Sequence, residues 1–94
     1  MNRINLIFDK SLSHIAGNPY GQEVYLKQVK GRLKLDEENE IYFPTQIKGV
    51  SISFIQGLIK DLVNEYGKDK VLKLITLKTD NDMLQERLNK NIKF

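Results

Sequence analysis

Cysteine and tryptophan are absent from this 94-residue chain, histidine occurs once and proline twice. Without cysteine there is no disulfide, no thiolate nucleophile and no cysteine-ligated zinc, which suits a reducing cytoplasmic setting. The lone histidine, His14, cannot assemble the three or four N/S-rich ligands that zinc takes. Long apolar runs are lacking as well. The N-terminus alternates from Met1-Asn2-Arg3 onward, without the apolar stretch of about 7–15 residues found in a signal peptide, and nothing approaches the ~18 residues of a membrane span. The expectation is a cytoplasmic chain with no span and no export signal.

What remains is ordinary globular material, 40 % hydrophobic and 29 % charged. One α/β domain over residues 1–94 is expected. A chain of this length buries only about 60–65 % of its unfolded surface, which leaves little scaffold for an elaborate buried active site. The 15 basic and 12 acidic residues are interspersed, and a net charge of +3 points only weakly to nucleic acid.

Periodicity supplies the elements. Arg3 to Phe8 places Ile4, Leu6 and Phe8 on one face of a first strand, with Ile7 on the other. Its neighbour in the sheet is not evident, a hairpin partner being one option. Ser11 to Gly21 is turn-rich, and Asn18-Pro19 reads as an N-cap followed by proline in the first helical position. A helix then carries Val24, Tyr25, Val29 and Leu33 inward, with Glu23 and Lys27 paired at i, i+4 and Gly31 weakening its end. Asp36 to Glu40 reads as a solvated acidic connection. Ile41-Tyr42-Phe43 is a short buried strand ended by Pro44.

The cleanest amphipathic helix follows, with Phe54, Ile55, Leu58, Ile59, Leu62, Val63 and Tyr66 inward, Gly67 as its stop and Ser53 or Ser51 as its cap. Lys68 to Lys70 reads as a polar turn, Val71 to Leu77 as a central strand, and the last helix turns Met83, Leu84, Leu88 and Ile92 inward. The order β-α-β-α-β-α predicts a small sheet of three or four strands, at least partly parallel, with helices on one face.

Few residues carry chemistry. His14 lies near Asp9, Ser11 and Ser13, but neighbours in one loop seldom converge as a triad with an oxyanion hole, so no catalytic residue is assigned and no enzyme is expected. Gly17 to Gly21 matches neither phosphate-loop pattern. Ser51-Ile52-Ser53-Phe54 differs, because it opens a helix, where unpaired N–H groups and the helix dipole favour a phosphate on Ser53. The alternative, that Ser53 serves only as a cap, stands beside it.

Two segments, Ala16-Gly17-Asn18-Pro19-Tyr20-Gly21 with its helix and Ile41-Tyr42-Phe43-Pro44 with Val50 to Leu58, resemble the STAS-like bacterial domain family of unknown function. That family is distantly similar to the anti-sigma-factor antagonists. The resemblance implies a small STAS-like sheet that exposes its strand-to-helix turn to a partner. In the antagonists that turn carries Asp-Ser-Ser-Gly, whose serine is phosphorylated by a histidine-kinase-like ATPase, and phosphorylation switches the partnership off. Here Ser51 stands roughly at the acid, Ser53 matches one of the serines, and Phe54 stands near the glycine.

The leading expectation is a non-enzymatic, regulatory protein-binding module. It contacts its partner, a histidine-kinase-like ATPase or another protein, through Ser51, Ser53, Phe54, Gln56 and Gly57 together with Asn18, Pro19, Tyr20 and Gly21. Ser53, or Ser51, is the phospho-acceptor candidate, and neither cofactor nor metal is implied. The alternatives are a nucleic-acid surface at Lys27, Lys30, Arg32 and Lys34, or a mobile-element-encoded inhibitor of host machinery. An exposed edge on the first strand, which carries Ile4, Leu6 and Phe8, would also allow pairing with a second copy or with a partner's strand, and so a homodimer.

Overall fold

Strict alternation in the first segment fixes which face of the sheet is buried. The computed structural model describes residues 1–92. The chain runs β1 (Asn2–Asn5), β2 (His14–Ile15), α1 (Asn18–Val24), β3 (Asn39–Tyr42), β4 (Gly49–Val50), α2 (Ile52–Tyr66), α3 (Lys68–Leu74), β5 (Ile75–Lys78) and α4 (Asp82–Asn91). β1, β3 and β5 form a parallel sheet in that order, and β2 pairs with β4 in a short parallel ribbon. Among the described residues β1 thus has no hairpin partner. It lies parallel to β3, reached through the crossover that α1 supplies.

Ile4, Ile41 and Leu77 stand side by side in register and are at most 2 % exposed. Leu6, Phe8 and Phe43 continue this buried face. The other face is open and polar. It carries the row Arg3, Glu40, Thr76 and the row Asn5, Tyr42, Lys78. There the Arg3 guanidinium lies 4.0 Å over the Tyr42 ring, and its Nε is 3.7 Å from Glu40. The Asp80 carboxylate, accepting from the Tyr42 hydroxyl, holds that phenol above its ordinary range.

Several sequence expectations need correction. Asn18 is not the cap of α1: Gly17, at φ 101, takes that place, Pro19 sits in the first turn, and the Asn18 Oδ1 accepts from Gln22 Nε2 at 2.6 Å. Past Val24 the helix widens into a π-helical turn over Tyr25–Val29 and tightens into a 3₁₀ turn over Lys30–Arg32. The acidic connection is partly strand, since β3 begins at Asn39, which is fully buried. Lys68 to Leu74 is helix, and only Ile75–Lys78 is strand, at an edge of the sheet instead of its centre. A strand over the whole run would put Lys73 on the same face as Val71, Ile75 and Leu77, whereas a helix buries Val71 and Leu74 and leaves Lys73 in water. Leu84 and Leu88 in α4, and Ile92 just past its end, point inward, but Met83, about 100° round the helix from Leu84, is 71 % exposed.

Both sheet edges are plugged by a glutamine. Alternate residues of a parallel strand bond to opposite sides, and the N–H groups of Asn2 and Leu6 go to Glu38 and Tyr42 at 2.9 Å. Ile7 therefore turns its main-chain groups outward. Gln28, presented by the π-helical turn, accepts from the Ile7 N–H at 2.7 Å and donates to the Ile7 carbonyl at 2.9 Å. At the opposite edge Gln85 donates to the Leu77 carbonyl at 2.7 Å and accepts from the Thr79 N–H at 2.9 Å. A carboxamide offers the donor and acceptor of a neighbouring strand, so each glutamine stands in for one. β1 does lie at an edge of the sheet, as expected, but Ile4, Leu6 and Phe8 face the core and Gln28 takes up the outward main-chain groups of Ile7. Replacing Gln28 and Gln85 together by alanine is expected to cost about 1–2 kcal/mol per site and to leave both edges open. Sedimentation of the double variant should show concentration-dependent oligomers absent from the parent, and identical profiles would contradict the plug.

Candidate functional site

Ser51 is the hub of the corner where α2 begins. Its N–H donates to the Ile15 carbonyl at 3.0 Å, extending the β2–β4 ribbon. Its Oγ caps α2 by accepting from the Phe54 N–H at 3.1 Å, and it also accepts from the Gly17 N–H at 3.4 Å. The beginnings of α1 and α2 are thereby tied to one hydroxyl. Such a cap stabilises its helix by about 1 kcal/mol. Ser51 Oγ lies 2.9 Å from Ser53 Oγ. Either hydroxyl can be the donor in this pair. Ser53, at the second helical position, is exposed.

Behind this corner the two helices cross with backbone against backbone. A Cβ on Gly57 would strike the Asn18 carbonyl, and one on Gly21 would strike the Phe54 carbonyl and come within 2.7 Å of the Leu58 nitrogen. Phe54 is fully buried, with ring centroids 5.5 Å from Tyr20, 6.4 Å from Phe8 and 6.4 Å from Phe43. These aromatic pairs bond the corner to the sheet. Three of the nine contact candidates, Gly21, Phe54 and Gly57, are therefore inside the fold, and Tyr20 is half-buried against it. Asn18, Pro19, Ser51, Ser53 and Gln56 retain surface. The corner also shows a residue that periodicity did not single out: Ile52, apolar and 51 % exposed beside Ser53. Its place between two serines at a helix start was the available signal.

The other candidates fall elsewhere. Asp9 accepts from the Ser11 hydroxyl at 2.7 Å and the Ser11 N–H at 2.9 Å, and these bonds hold its carboxyl below the usual range. His14 Nδ1 instead pairs with Ser13 Oγ at 3.0 Å, and its ring lies against Gly49. The four groups do not form a relay. Among the described residues no cluster of three or more His, Asp or Glu side chains could hold a metal, and no helix is long and apolar enough to cross a membrane. Of the basic set, Lys27 pairs with Glu23 at 2.6 Å, while Lys30 and Arg32, in the 3₁₀ turn, and Lys34 just past it are exposed. Compared with known proteins, the chain matches no family model, no curated protein and no solved structure.

Proposed function

We propose that this chain is a protein-interaction module that engages its partner through the start of α2, with Ile52 as the apolar anchor and Ser53 as a hydroxyl that a phosphate can switch. One observation carries this reading: Ser51 takes the capping role, which leaves Ser53 uninvolved in the cap and exposed beside an exposed isoleucine. A rigid scaffold stands behind both, through the buried Phe54 and the glycine crossing. A phosphate on Ser53 would meet the unpaired N–H groups and the positive end of the 15-residue α2, and would place about two negative charges beside the anchor. The resemblance to STAS-like domains supports a histidine-kinase-like ATPase as the partner class.

The test compares capture of proteins from native lysate by the parent, Ile52→Lys and Met83→Lys. Both positions are exposed, so both variants should keep the parental unfolding midpoint. A protein retained by the parent and Met83→Lys but lost with Ile52→Lys is the expected result. Equal capture by all three would end the proposal.

A second reading, nucleic-acid binding, draws on Lys30, Arg32 and Lys34 and on Lys70 and Lys73, although the groove that Lys70 and Lys73 line also carries Asp36 and Glu37, and the adjoining one that Lys30 lines carries Glu65. It predicts a gel shift with single-stranded oligonucleotide that weakens steeply with salt. Absence of retardation at low salt removes it.

A further inference from the structure

We propose that the outer face of α2 extends this corner into a groove for an extended, acidic segment of the partner protein, which lays one aliphatic side chain on the groove floor and sets a carboxylate on Lys60. The inference rests on the reading of the corner as a contact surface and adds the chemistry of what is bound.

Residues 52, 53, 56, 59, 60, 63 and 64 recur at helical spacing, so they share one stripe of α2 that begins at the corner. Along it, Ile59 and Val63 floor a shallow groove of about 190 Å³, rimmed by Gln56, Lys60 and Asn64 and, from α1, by Asn18. That volume admits a single aliphatic side chain. The rim carries three carboxamides, and a carboxamide matches the N–H and carbonyl of a peptide main chain. Gln56 and Asn64 have no hydrogen-bond partner among the described residues, and Asn18, whose Oδ1 is taken by Gln22, offers its amide N–H. Unpaired carboxamides on a rigid helix next to an apolar floor suit an extended chain, whose own main-chain groups need partners.

Charge selects the segment. Lys60 has no carboxylate within ion-pair distance among the described residues. The acids of α2 lie on its other flank: Asp61 and Glu65 are close enough to the buried Tyr25 to help raise its phenol, behind burial as the main cause. The stripe therefore presents one free ammonium and the positive end of the helix, with no acid between them. Nucleic acid would need a run of cations along the groove, and it has one.

The experiment uses the full chain, ¹⁵N-labelled, with two heptapeptide pools that have random flanks and a fixed core, Leu-x-Glu or Leu-x-Lys. The Leu-x-Glu pool should shift the amides of Gln56, Lys60 and Asn64, and the Leu-x-Lys pool should bind at least tenfold more weakly. Lys60→Glu, at an exposed position, should keep the parental unfolding midpoint and reverse that preference. Failure of both pools to shift these amides, or a preference unchanged in Lys60→Glu, overturns the proposal, as does displacement of these amides by oligo-dT and not by peptide. Loss of partner capture in Ile52→Lys with unchanged capture in Lys60→Glu would sink the groove and leave the corner standing. Reversed peptide preference with undiminished capture in Ile52→Lys would sink the corner and support the groove.

Discussion

Alanine at Gly57 is expected to destabilise the fold by about 3 kcal/mol, at the upper end of overpacking costs. The added Cβ would meet not a side chain that can swing aside but the carbonyl, the carbonyl carbon and the Cα of Asn18. To make room, α1 must lift away from α2, and Tyr20 then loses its edge contact with Phe54. Against a total stability of about 5–15 kcal/mol, such a loss is large. For a domain of this size it corresponds to a thermal midpoint lower by roughly 12–20 °C. Gly31 provides the control, since nothing lies within 4 Å of a Cβ there and its φ is not in the left-handed region. Gly31→Ala should therefore leave the midpoint unchanged or raise it slightly. Equal midpoints for the two variants would contradict the close crossing. Gly21 and Gly57, one from each motif that carries the family resemblance, thus have a packing role, which leaves Ile52, Ser53, Gln56 and Asn18 as the residues with surface there.

The second large effect is expected at Asn39. Its Oδ1 accepts from Asn2 Nδ2 at 2.8 Å and from the Lys34 N–H at 2.9 Å, while its Nδ2 donates to the carbonyls of Lys34 at 2.7 Å, Glu37 at 3.0 Å and Leu74 at 3.4 Å. A single fully buried carboxamide thus joins the start of β1, the turn before β3 and the end of α3. Aspartate would put an oxygen where three carbonyls now accept a donor. Burial and those carbonyls would raise its folded pKa above the unfolded value of about 3.9. Because the folded state then favours the protonated form, the penalty is smallest at acid pH and grows as pH rises toward the folded pKa. At pH 7 the cost should be about 3–5 kcal/mol, the range for an uncompensated buried charge. Urea unfolding of Asn39→Asp and the parent at pH 5 and pH 8 reads this directly. A difference in stability that is the same at both values would contradict the account.

Legibility in the sequence followed how local each signal is. The course of α2 could be read because its apolar spacing, the serine before it and Gly67 after it, at φ 85, all agree within one segment. The buried face of β1 was equally plain from alternation. The strand assignment for Val71 to Leu77 failed because an apolar run of that length fits a strand or a short buried helix, and only the position of Lys73 distinguishes them. The β2–β4 ribbon has two residues per strand, too few to show a period. Asn39 and the two glutamine plugs left no pattern, since each acts across more than a local turn: Gln28 reaches 21 residues back to Ile7. At the site, the candidate serines were visible as a pair, but which one caps and which one stays outside the cap is decided by a single oxygen position. Phe54 reads both as inward, from helical periodicity, and as a contact residue, from the resemblance, and its full burial agrees with the periodicity.

The central claim is that the start of α2 is where a partner sits, and photo-crosslinking inside cells tests it most directly. A photoreactive amino acid is placed at position 53 in one variant and at position 83 in another, both exposed, with unfolding midpoints checked against the parent. The account predicts a discrete protein adduct from position 53 that is missing from position 83. The same adducts from both positions, or none from position 53, would contradict it.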